Sequence, residues 1–137
     1  MPTPTIPETD RAHHKTAVIV AIVVPVALLH FVTGSGYRGP YPEFVNGYLL
    51  DILLPAAFYF LLCVPKLRYP DSWVLRSLPL FAACSAIEIS QYLGYQVFGC
   101  AFDPVDFAMY ATGLAAAAVL DRLVFPRFLE SWLPHSR

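Results

Sequence analysis

The sequence predicts an all-α, multi-pass membrane protein: a bundle of four transmembrane helices with both termini in the cytoplasm. Three observations predict this fold class. The 137 residues are 57% hydrophobic and only 14% charged, an apolar excess that a soluble domain of this size cannot bury. Four segments are long and nearly uncharged, as membrane spans must be. Almost all basic residues fall on one side of those segments.

The N-terminal part of the chain divides into a polar tail and a first span. Residues 1–15 are rich in proline and threonine, which predicts a disordered cytoplasmic tail. Residues 16–34 then provide about the length needed to cross roughly 30 Å of hydrocarbon, with a kink predicted at Pro25. A cleaved signal peptide is the competing interpretation, and the long polar start and long apolar core argue against it.

Three further spans and a short tail complete the predicted architecture. The spans cover about residues 45–64, 73–97 and 104–125, each bounded by a proline, glycine or charged turn. Residues 126–137 contain aromatic and charged side chains in alternation. We therefore expect them to form a cytoplasmic tail that lies at the inner membrane surface.

The start of the fourth span carries a helix-initiation signal. Asp103 is a favourable capping residue, Pro104 suits the first helical position, and Asp106 complements the helix dipole. Further along the same span, Gly113 and Ala117 are four residues apart. This small-residue spacing predicts a close approach to a second helix.

The basic residues predict the orientation. Eight of the nine lysines and arginines fall on the side that also holds both termini: Arg11, Lys15, Lys66, Arg68, Arg76, Arg122, Arg127 and Arg137. Only Arg38 falls on the other side, so the positive-inside rule places both termini in the cytoplasm. Trp73 and Trp132 are then expected at the inner interface. The net charge of −1 gives no reason to expect a nucleic-acid partner.

Polar side chains from several spans are expected to converge in the outer half of the membrane. The candidate ligand-binding residues there are Asp51, Glu88, Gln91, Asp103, Asp106, Arg38, Tyr95 and Tyr110. An ionisable side chain within a membrane helix costs at least about 2.5–3.5 kcal/mol and normally faces the bundle interior with a partner. We therefore expect Glu88, the deepest acid, to be protonated or paired.

These polar residues also have purely structural interpretations. Asp103 and Asp106 would cap a helix, and Glu88 and Gln91 would form hydrogen bonds between helices. Asp51 would form an ion pair with Arg38. Their concentration in one half of the membrane favours a functional pocket instead. The cytoplasmic half offers only Arg76, Asp121 and Arg122, which we expect at the inner interface.

The sequence contains no catalytic or metal-binding motif. It has no Ser-His pair beside the acids, no HExxH and no phosphate-binding glycine loop. Cys63, Cys84 and Cys100 are far apart and are expected to be free thiols. No metal ion, cofactor or catalytic residue is therefore predicted.

The order of the polar motifs resembles a known family. An acid begins one span (Asp51), Glu-x-x-Gln follows on the next (residues 88–91), a link contains Gly99, then come Phe-Asp-x-x-Asp (residues 102–106) and Gly113 in the last helix. In this order and spacing, over roughly residues 46–122, the chain resembles the VanZ-like family of small bacterial membrane proteins.

The resemblance implies a multi-pass protein of the bacterial cytoplasmic (inner) membrane with an outward-facing polar site. The family's named member is associated with resistance to the glycopeptide antibiotic teicoplanin. Family members often have an arginine after the glycine of the link, where this chain has Cys100. Arg38 is then the residue that would supply the missing charge.

We therefore expect a non-enzymatic VanZ-like protein of the cell envelope that binds a lipid or an envelope-active amphiphile, with a role in glycopeptide resistance. Two alternatives follow from the same residues. The chain is an accessory structural subunit of a larger membrane complex, or it is a membrane enzyme that acts on a lipid with Glu88 or Asp51 as general base. Membrane lipids are the expected partners, together with a second copy of the chain or another membrane protein.

Overall fold

The predicted all-α fold class is confirmed. A computed structural model describes residues 7–33, 36–95 and 102–133, and within these ranges the chain forms helices and no strand. The α-helices are α1 (Glu8–Leu29), α2 (Pro42–Gly47), α3 (Leu49–Leu62), α4 (Trp73–Tyr92), α5 (Val105–Val119) and α6 (Phe125–Phe128). A π-helical turn, Leu120–Val124, joins α5 to α6, and short 3₁₀ turns cover Pro65–Leu67 and Glu130–Trp132.

Three helices in the described ranges are long and apolar enough to cross a membrane. They are α1, α4 and the continuous helix Val105–Phe128, while α3 is apolar but shorter, with 14 residues. The second predicted span is divided because Tyr48, at φ −116° and ψ −21°, interrupts the helix between α2 and α3. Helices α1 and α4 end at Leu29 and Tyr92, before the ends predicted for the first span at Gly34 and the third span at Val97, and those two residues lie outside the described part.

The helical part of the N-terminus begins earlier than the sequence predicted. We expected residues 1–15 to be disordered, but α1 starts at Glu8. Glu8 and Asp10 lie in its first turn, where negative charge complements the helix dipole. Arg11 anchors the same turn by donating to the carbonyl oxygen of Glu130 over 2.7 Å. This contact with the C-terminal segment could not be read from the local composition. Residues 1–6 lie outside the described part.

Both ends of α4 carry capping interactions. At the start, the Ser72 hydroxyl accepts the backbone N–H of Leu75 at 3.5 Å. At the end, Gly94 adopts φ +87°, a left-handed conformation that glycine adopts without steric cost. The N–H of Tyr95 then returns to the carbonyl oxygen of Ser90 at 2.9 Å, which completes a Schellman motif. The chain therefore leaves α4 at a fixed turn.

Helix α3 is central to the bundle and packs against α1, α4 and α5, with the most extensive contact to α5. At this contact, a Cβ added to Gly113 would overlap the backbone carbonyl of Ile52. Ala117, one turn further along α5, is completely buried. The close helix approach predicted from the spacing of Gly113 and Ala117 is confirmed.

The core lies toward the end of the bundle that holds the start of α1 and the segment Glu130–Trp132, and Trp132 is part of it. We expected residues 126–137 to lie at the membrane surface, with Trp132 at the interface. Trp132 is buried in a cluster with Ile19 and Phe60, and its ring meets that of Phe125 edge-on at 4.9 Å. Burying a large aromatic side chain stabilises this return of the chain. Residues 134–137 lie outside the described part.

Large apolar side chains cover the outer surface of the long helices. Exposed residues on these surfaces are Val20, Val24, Leu28, Leu75, Leu78, Ile89 and Leu123. Apolar surface of this extent is unfavourable in water and is normal for helices that face lipid.

Candidate functional site

The structure brings five of the predicted site residues together, four acids and Tyr110. The carboxyl groups of Asp51, Glu88, Asp103 and Asp106 interact electrostatically with one another. They come from α3, α4, the residues before α5 and the first turn of α5. We call these four side chains the acid cluster. Three separate segments of the chain therefore meet at one carboxylate-rich place.

Glu88 is the buried member of the acid cluster, with only 3% of its surface exposed. Its Oε1 accepts the hydroxyl of Tyr110 at 3.0 Å, and its Oε2 accepts the backbone N–H of Asp103 at 3.4 Å. Tyr110, itself buried, lies one turn into α5. The glutamate thus joins α4 to the start of α5 through hydrogen bonds, as an acid within a helical bundle requires.

Asp103 belongs both to the acid cluster and to the start of α5. Its Oδ1 accepts the backbone N–H of Val105 at 2.9 Å, and its carbonyl oxygen accepts the N–H of Asp106 at 3.1 Å. Asp103 therefore accepts an N–H of the first turn, as a capping residue does, but Pro104 directly precedes α5 and is not its first helical residue as predicted. Its other oxygen, Oδ2, accepts the hydroxyl of Tyr48 at 2.9 Å. The same carboxylate consequently links α5 to the break between α2 and α3.

The remaining predicted site residues lie at the edge of this group or away from it. Gln91 is half-buried one turn beyond Glu88, and Tyr95 is exposed after the end of α4. Arg38 is exposed and takes part in none of the ion pairs of the described residues. The expected pair between Asp51 and Arg38 is thus not formed. Gly99 and Cys100, two positions of the family resemblance, lie outside the described residues.

An aromatic edge adjoins the acid cluster. The rings of Tyr92 and Phe102 meet at 5.2 Å between centroids, and Phe102 lies 6.3 Å from the ring of Phe107. Tyr92 is 71% exposed and Phe102 is partly exposed. Because Tyr92 follows Glu88 by one turn and Phe102 precedes Asp103, exposed aromatic surface lies directly beside the carboxylates.

A second polar group, not predicted from the sequence, lies toward the other end of the bundle. Its centre is Asp121, in the π-helical turn, with 4% of its surface exposed. Oδ2 accepts the Tyr59 hydroxyl at 2.8 Å, and Oδ1 accepts Trp132 Nε1 at 2.9 Å. The Cys63 thiol lies 3.8 Å from Oδ1. One carboxylate therefore connects α3, the π-helical turn and the C-terminal segment.

Two arginines and a second aspartate extend this group. Arg76 Nη1 and Arg122 Nε each lie 3.2 Å from Asp121 Oδ2. The other guanidinium nitrogens reach Asp71 Oδ1, at 3.1 Å for Arg76 and 2.9 Å for Arg122. We call Asp121, Tyr59, Trp132, Arg76, Arg122 and Asp71 the Asp121 network. The two arginines and two aspartates of this network give it no net charge.

Arg76 and Asp121, which we expected at the inner interface, are both buried within the protein. The sequence contained a usable signal, since each is a charged residue near the end of an apolar span, and such residues normally pair inside the bundle. Their partner could not be identified from spacing, because Arg76 and Asp121 belong to different helices. Trp132 gave no signal at all, since it follows the last predicted span.

The described residues contain no group of three or more histidine, cysteine or acidic side chains arranged to hold a metal ion. The acid cluster offers carboxylate oxygens, which accept hydrogen bonds from cationic or neutral donors.

Comparison of the chain with protein-family models, with curated proteins and with solved structures found no match.

Proposed function

We propose that the chain is a VanZ-like, multi-pass protein of the bacterial cytoplasmic membrane, and that it binds the cationic head group of a lipid or envelope-active amphiphile at the acid cluster. One observation carries this proposal. Four carboxyl groups from three segments lie close together, and no lysine or arginine in the described ranges forms an ion pair with them.

The physical argument is the repulsion among the carboxylates. Like charges that lie close together in a medium of low dielectric constant cannot all ionise cheaply. A bound cation offsets this repulsion and regains the interaction that neighbouring arginines would otherwise provide. Glu88 already has two hydrogen-bond donors, and Asp106 forms a side-chain hydrogen bond with it. Asp51 and Asp106 are both half-buried and so are the acids placed to meet a ligand, Asp106 by exchanging its bond with Glu88 for one to the ligand.

The aromatic edge beside the cluster favours an amphiphile over a small ion. Exposed Tyr92 and Phe102 offer apolar surface next to the carboxylates, and aromatic faces also attract organic cations. A ligand that joins an ammonium group to an apolar chain would contact both features at once.

The arrangement of the chain ends supports four spans. Arg11 in α1 bonds to the carbonyl oxygen of Glu130, so the start of α1 and the C-terminal segment lie at the same end of the bundle. If these two segments lie on the same side of a membrane, the chain between them crosses that membrane an even number of times. Since three helices are long enough to span, α2 and α3 together would provide the fourth crossing.

The distribution of basic residues supports an outward-facing acid cluster. In α4, Glu88 lies about 18 Å along the helix axis from Arg76. In the last helix, Asp106 lies about 22 Å from Asp121. The acid cluster and the Asp121 network are therefore at opposite ends of the bundle. By the positive-inside rule the end with Arg76 and Asp121 would face the cytoplasm, and the acid cluster would face outward.

Binding of a simple cationic amphiphile tests the proposal. The purified protein, in a neutral detergent, would be titrated with dodecylammonium and separately with dodecanoate. We expect saturable binding of dodecylammonium only, and at least about tenfold weaker binding by the double variant Asp51→Asn, Asp106→Asn. Asp10→Asn, an exposed acid of α1, is the matched control and should bind like the unmodified protein.

Equal binding of dodecanoate, or an unchanged affinity of the double variant, would contradict a cation-binding acid cluster. In cells, expression should raise survival in the presence of teicoplanin, and the double variant at equal expression should not. Glu88 is left unchanged in both experiments, because its burial and two hydrogen bonds make a folding defect the expected result of changing it.

A second candidate, an accessory subunit or homodimer, is favoured by the outer face of α5. Gly113 and Ala117 are buried within the chain, but Ala111 and Ala115 on another face of the same helix are exposed. Small residues four apart allow a second helix to approach closely. Purification in mild detergent tests this candidate: a larger membrane protein or a second copy should co-purify, and Ala111→Leu should disrupt the association.

A further inference from the structure

A pocket opens beside the Asp121 network, at the end of the bundle opposite the acid cluster. It has a volume of about 320 Å³. The first turns of α1, the segment after α3 and the C-terminal segment form its walls, with Trp132 and Tyr69 among the lining residues. We call it the basic pocket, because its charged lining is Arg11, Lys15, Arg68 and Arg76, against Glu8 and Asp71.

The charge of the basic pocket is unbalanced. Four basic and two acidic side chains line it, which leaves two positive charges. The ion pairs of the described residues do not involve Arg11, Lys15 or Arg68. Several cations that converge on one concave surface, without equal negative charge, produce a positive potential that attracts anions.

Arg11 already donates to the carbonyl oxygens of Glu130 and Leu133, so Lys15, Arg68 and Arg76 are the cations of the pocket to consider as donors to a ligand. Lys15 Nζ lies 4.6 Å from the centre of the Trp132 ring, a contact that positions the ammonium group. Arg76 Nε, in a side chain that is 5% exposed, is buried without a hydrogen-bond partner in the described part of the chain. The same guanidinium group also forms a hydrogen bond with the Tyr59 side chain. A donor nitrogen buried in this way is commonly satisfied by an ordered water molecule or an ion.

The Asp121 network makes this site rigid. Arg76 is held by Asp121 and Asp71 through its two terminal nitrogens, so its guanidinium group is fixed before any ligand arrives. The wall opposite is also fixed, because Trp132 donates its indole N–H to Asp121 and His14 contacts Ser131 at 2.9 Å. A preorganised site loses less entropy on binding than a flexible one.

From this geometry we infer that the basic pocket binds a phosphate group. Lysine and arginine side chains are the common phosphate ligands of proteins, through charge-assisted hydrogen bonds. Two sources share this chemistry: a soluble phosphate compound and the head group of an anionic phospholipid. The inference does not depend on the ligand proposed for the acid cluster. Only the statement that the basic pocket faces the cytoplasm rests on the proposed orientation.

Two binding experiments distinguish the sources. In the first, the protein in a neutral, lipid-free detergent is titrated with inorganic pyrophosphate. In the second, the protein is reconstituted in vesicles of phosphatidylcholine with a minor fraction of phosphatidylglycerol, and the lipid retained after extraction is identified by native mass spectrometry. Saturable pyrophosphate binding supports a soluble phosphate, and selective retention of phosphatidylglycerol supports a head group.

Charge-matched variants test the location. Lys15→Gln and Arg68→Gln should each weaken binding about tenfold, the loss expected for one charge-assisted hydrogen bond. Lys66→Gln removes a positive charge from the adjoining 3₁₀ turn, where the side chain is exposed and does not line the pocket. Its affinity should stay within about twofold of the unmodified protein.

Arg68 lies in an exposed turn, so its variant should fold even if Lys15→Gln does not. Circular dichroism of all three variants checks this. Absence of binding in both experiments would overturn the inference. An equal loss of affinity in Lys66→Gln and Arg68→Gln would also overturn the inference, because such a result would indicate a diffuse electrostatic attraction to the surface and not a defined site.

Discussion

At the scale of single residues, Asp121 demonstrates what a carboxylate requires inside an apolar bundle. Removing a carboxylate from water costs several kcal/mol, on the order of the whole stability of a small domain, unless charge and hydrogen bonds compensate it. Asp121 receives both, from Tyr59 and Trp132 as neutral donors and from Arg76 and Arg122 as cations. Loss of its charge would leave Arg76 buried opposite a neutral group.

Asp121→Asn should therefore lower the free energy of unfolding by about 3–5 kcal/mol, the usual cost of breaking a buried ion pair from one side. Asp71→Asn is the matched control, since Asp71 bonds to the same Arg76 but is 78% exposed, and it should cost less than about 1 kcal/mol. Thermal unfolding of both variants in one detergent measures the difference. Equal shifts of the two unfolding midpoints would contradict a larger contribution to stability from the buried Asp121 than from the exposed Asp71.

The hydrogen bond between Tyr110 and Glu88 makes a second prediction at this scale. Tyr110→Phe removes one donor from a buried carboxyl group and should lower the free energy of unfolding by about 1.5–3 kcal/mol. Tyr95→Phe makes the same chemical change at an exposed position and should have almost no effect. If both variants unfold at the same temperature, the Tyr110 hydroxyl does not stabilise the acid cluster.

The individual residues were predictable where the sequence places them near a helix boundary. Asp103 could be identified as a capping residue, because its role depends on the next three residues alone. The pairing of Glu88 with Tyr110 and the burial of Asp121 were not predictable in the same way. Each depends on which faces of two separate helices meet, and a single sequence without its fold does not contain that geometry.

At the scale of the helices, the contact between α3 and α5 determines the shape of the bundle. Small side chains permit it, since Gly113 lies against the backbone of Ile52 and Ala117 is fully buried. Close backbone approach replaces the hydrophobic driving force that is weak between helices in lipid. It also sets the distance between Asp51 on α3 and Asp106 on α5, and hence the spacing of the acid cluster.

Gly113→Ala should accordingly destabilise the protein by about 1–3 kcal/mol, because the added methyl group forces α3 and α5 apart. Gly47→Ala is the matched control, since a Cβ there would meet no atom within 4 Å. Its stability should be unchanged or slightly higher, as alanine loses less entropy than glycine in a helix. Thermal unfolding measures both, and a destabilised Gly47→Ala with an unaffected Gly113→Ala would contradict the proposed contact.

The helices themselves were largely predictable from hydrophobic length, but their ends were not. The start of α1 at Glu8 depends on contacts with residues more than a hundred positions away, such as that of Arg11 with Glu130. The break at Tyr48 comes directly after Gly47, but a single glycine inside an apolar segment does not by itself determine where a helix ends. Hydropathy alone joined α2 and α3 into one span.

At the scale of the whole molecule, the start of α1 and the segment Glu130–Trp132 form one structure. Arg11, His14 and Lys15 at the start of α1 contact Glu130, Ser131 and Trp132 at the C-terminus. This meeting places the start of α1 and the C-terminal segment on the same side of any membrane that the bundle crosses. It also assembles the basic pocket, whose walls come from both ends.

The number of crossings can be decided with two engineered cysteines. If α2 and α3 cross the membrane, the loop with Arg38 and the turn with Lys66, both exposed, lie on opposite sides. In a variant with its native cysteines replaced by alanine, Arg38→Cys should react with a membrane-impermeant maleimide in intact cells, and Lys66→Cys only after permeabilisation. A bundle with three crossings, in which α3 does not span, requires both positions to react alike.

The orientation is tested with a fluorescent protein fused to the C-terminus. The fusion should be fluorescent, because the distribution of basic residues places the Asp121 network and the C-terminal segment in the cytoplasm in the proposed orientation.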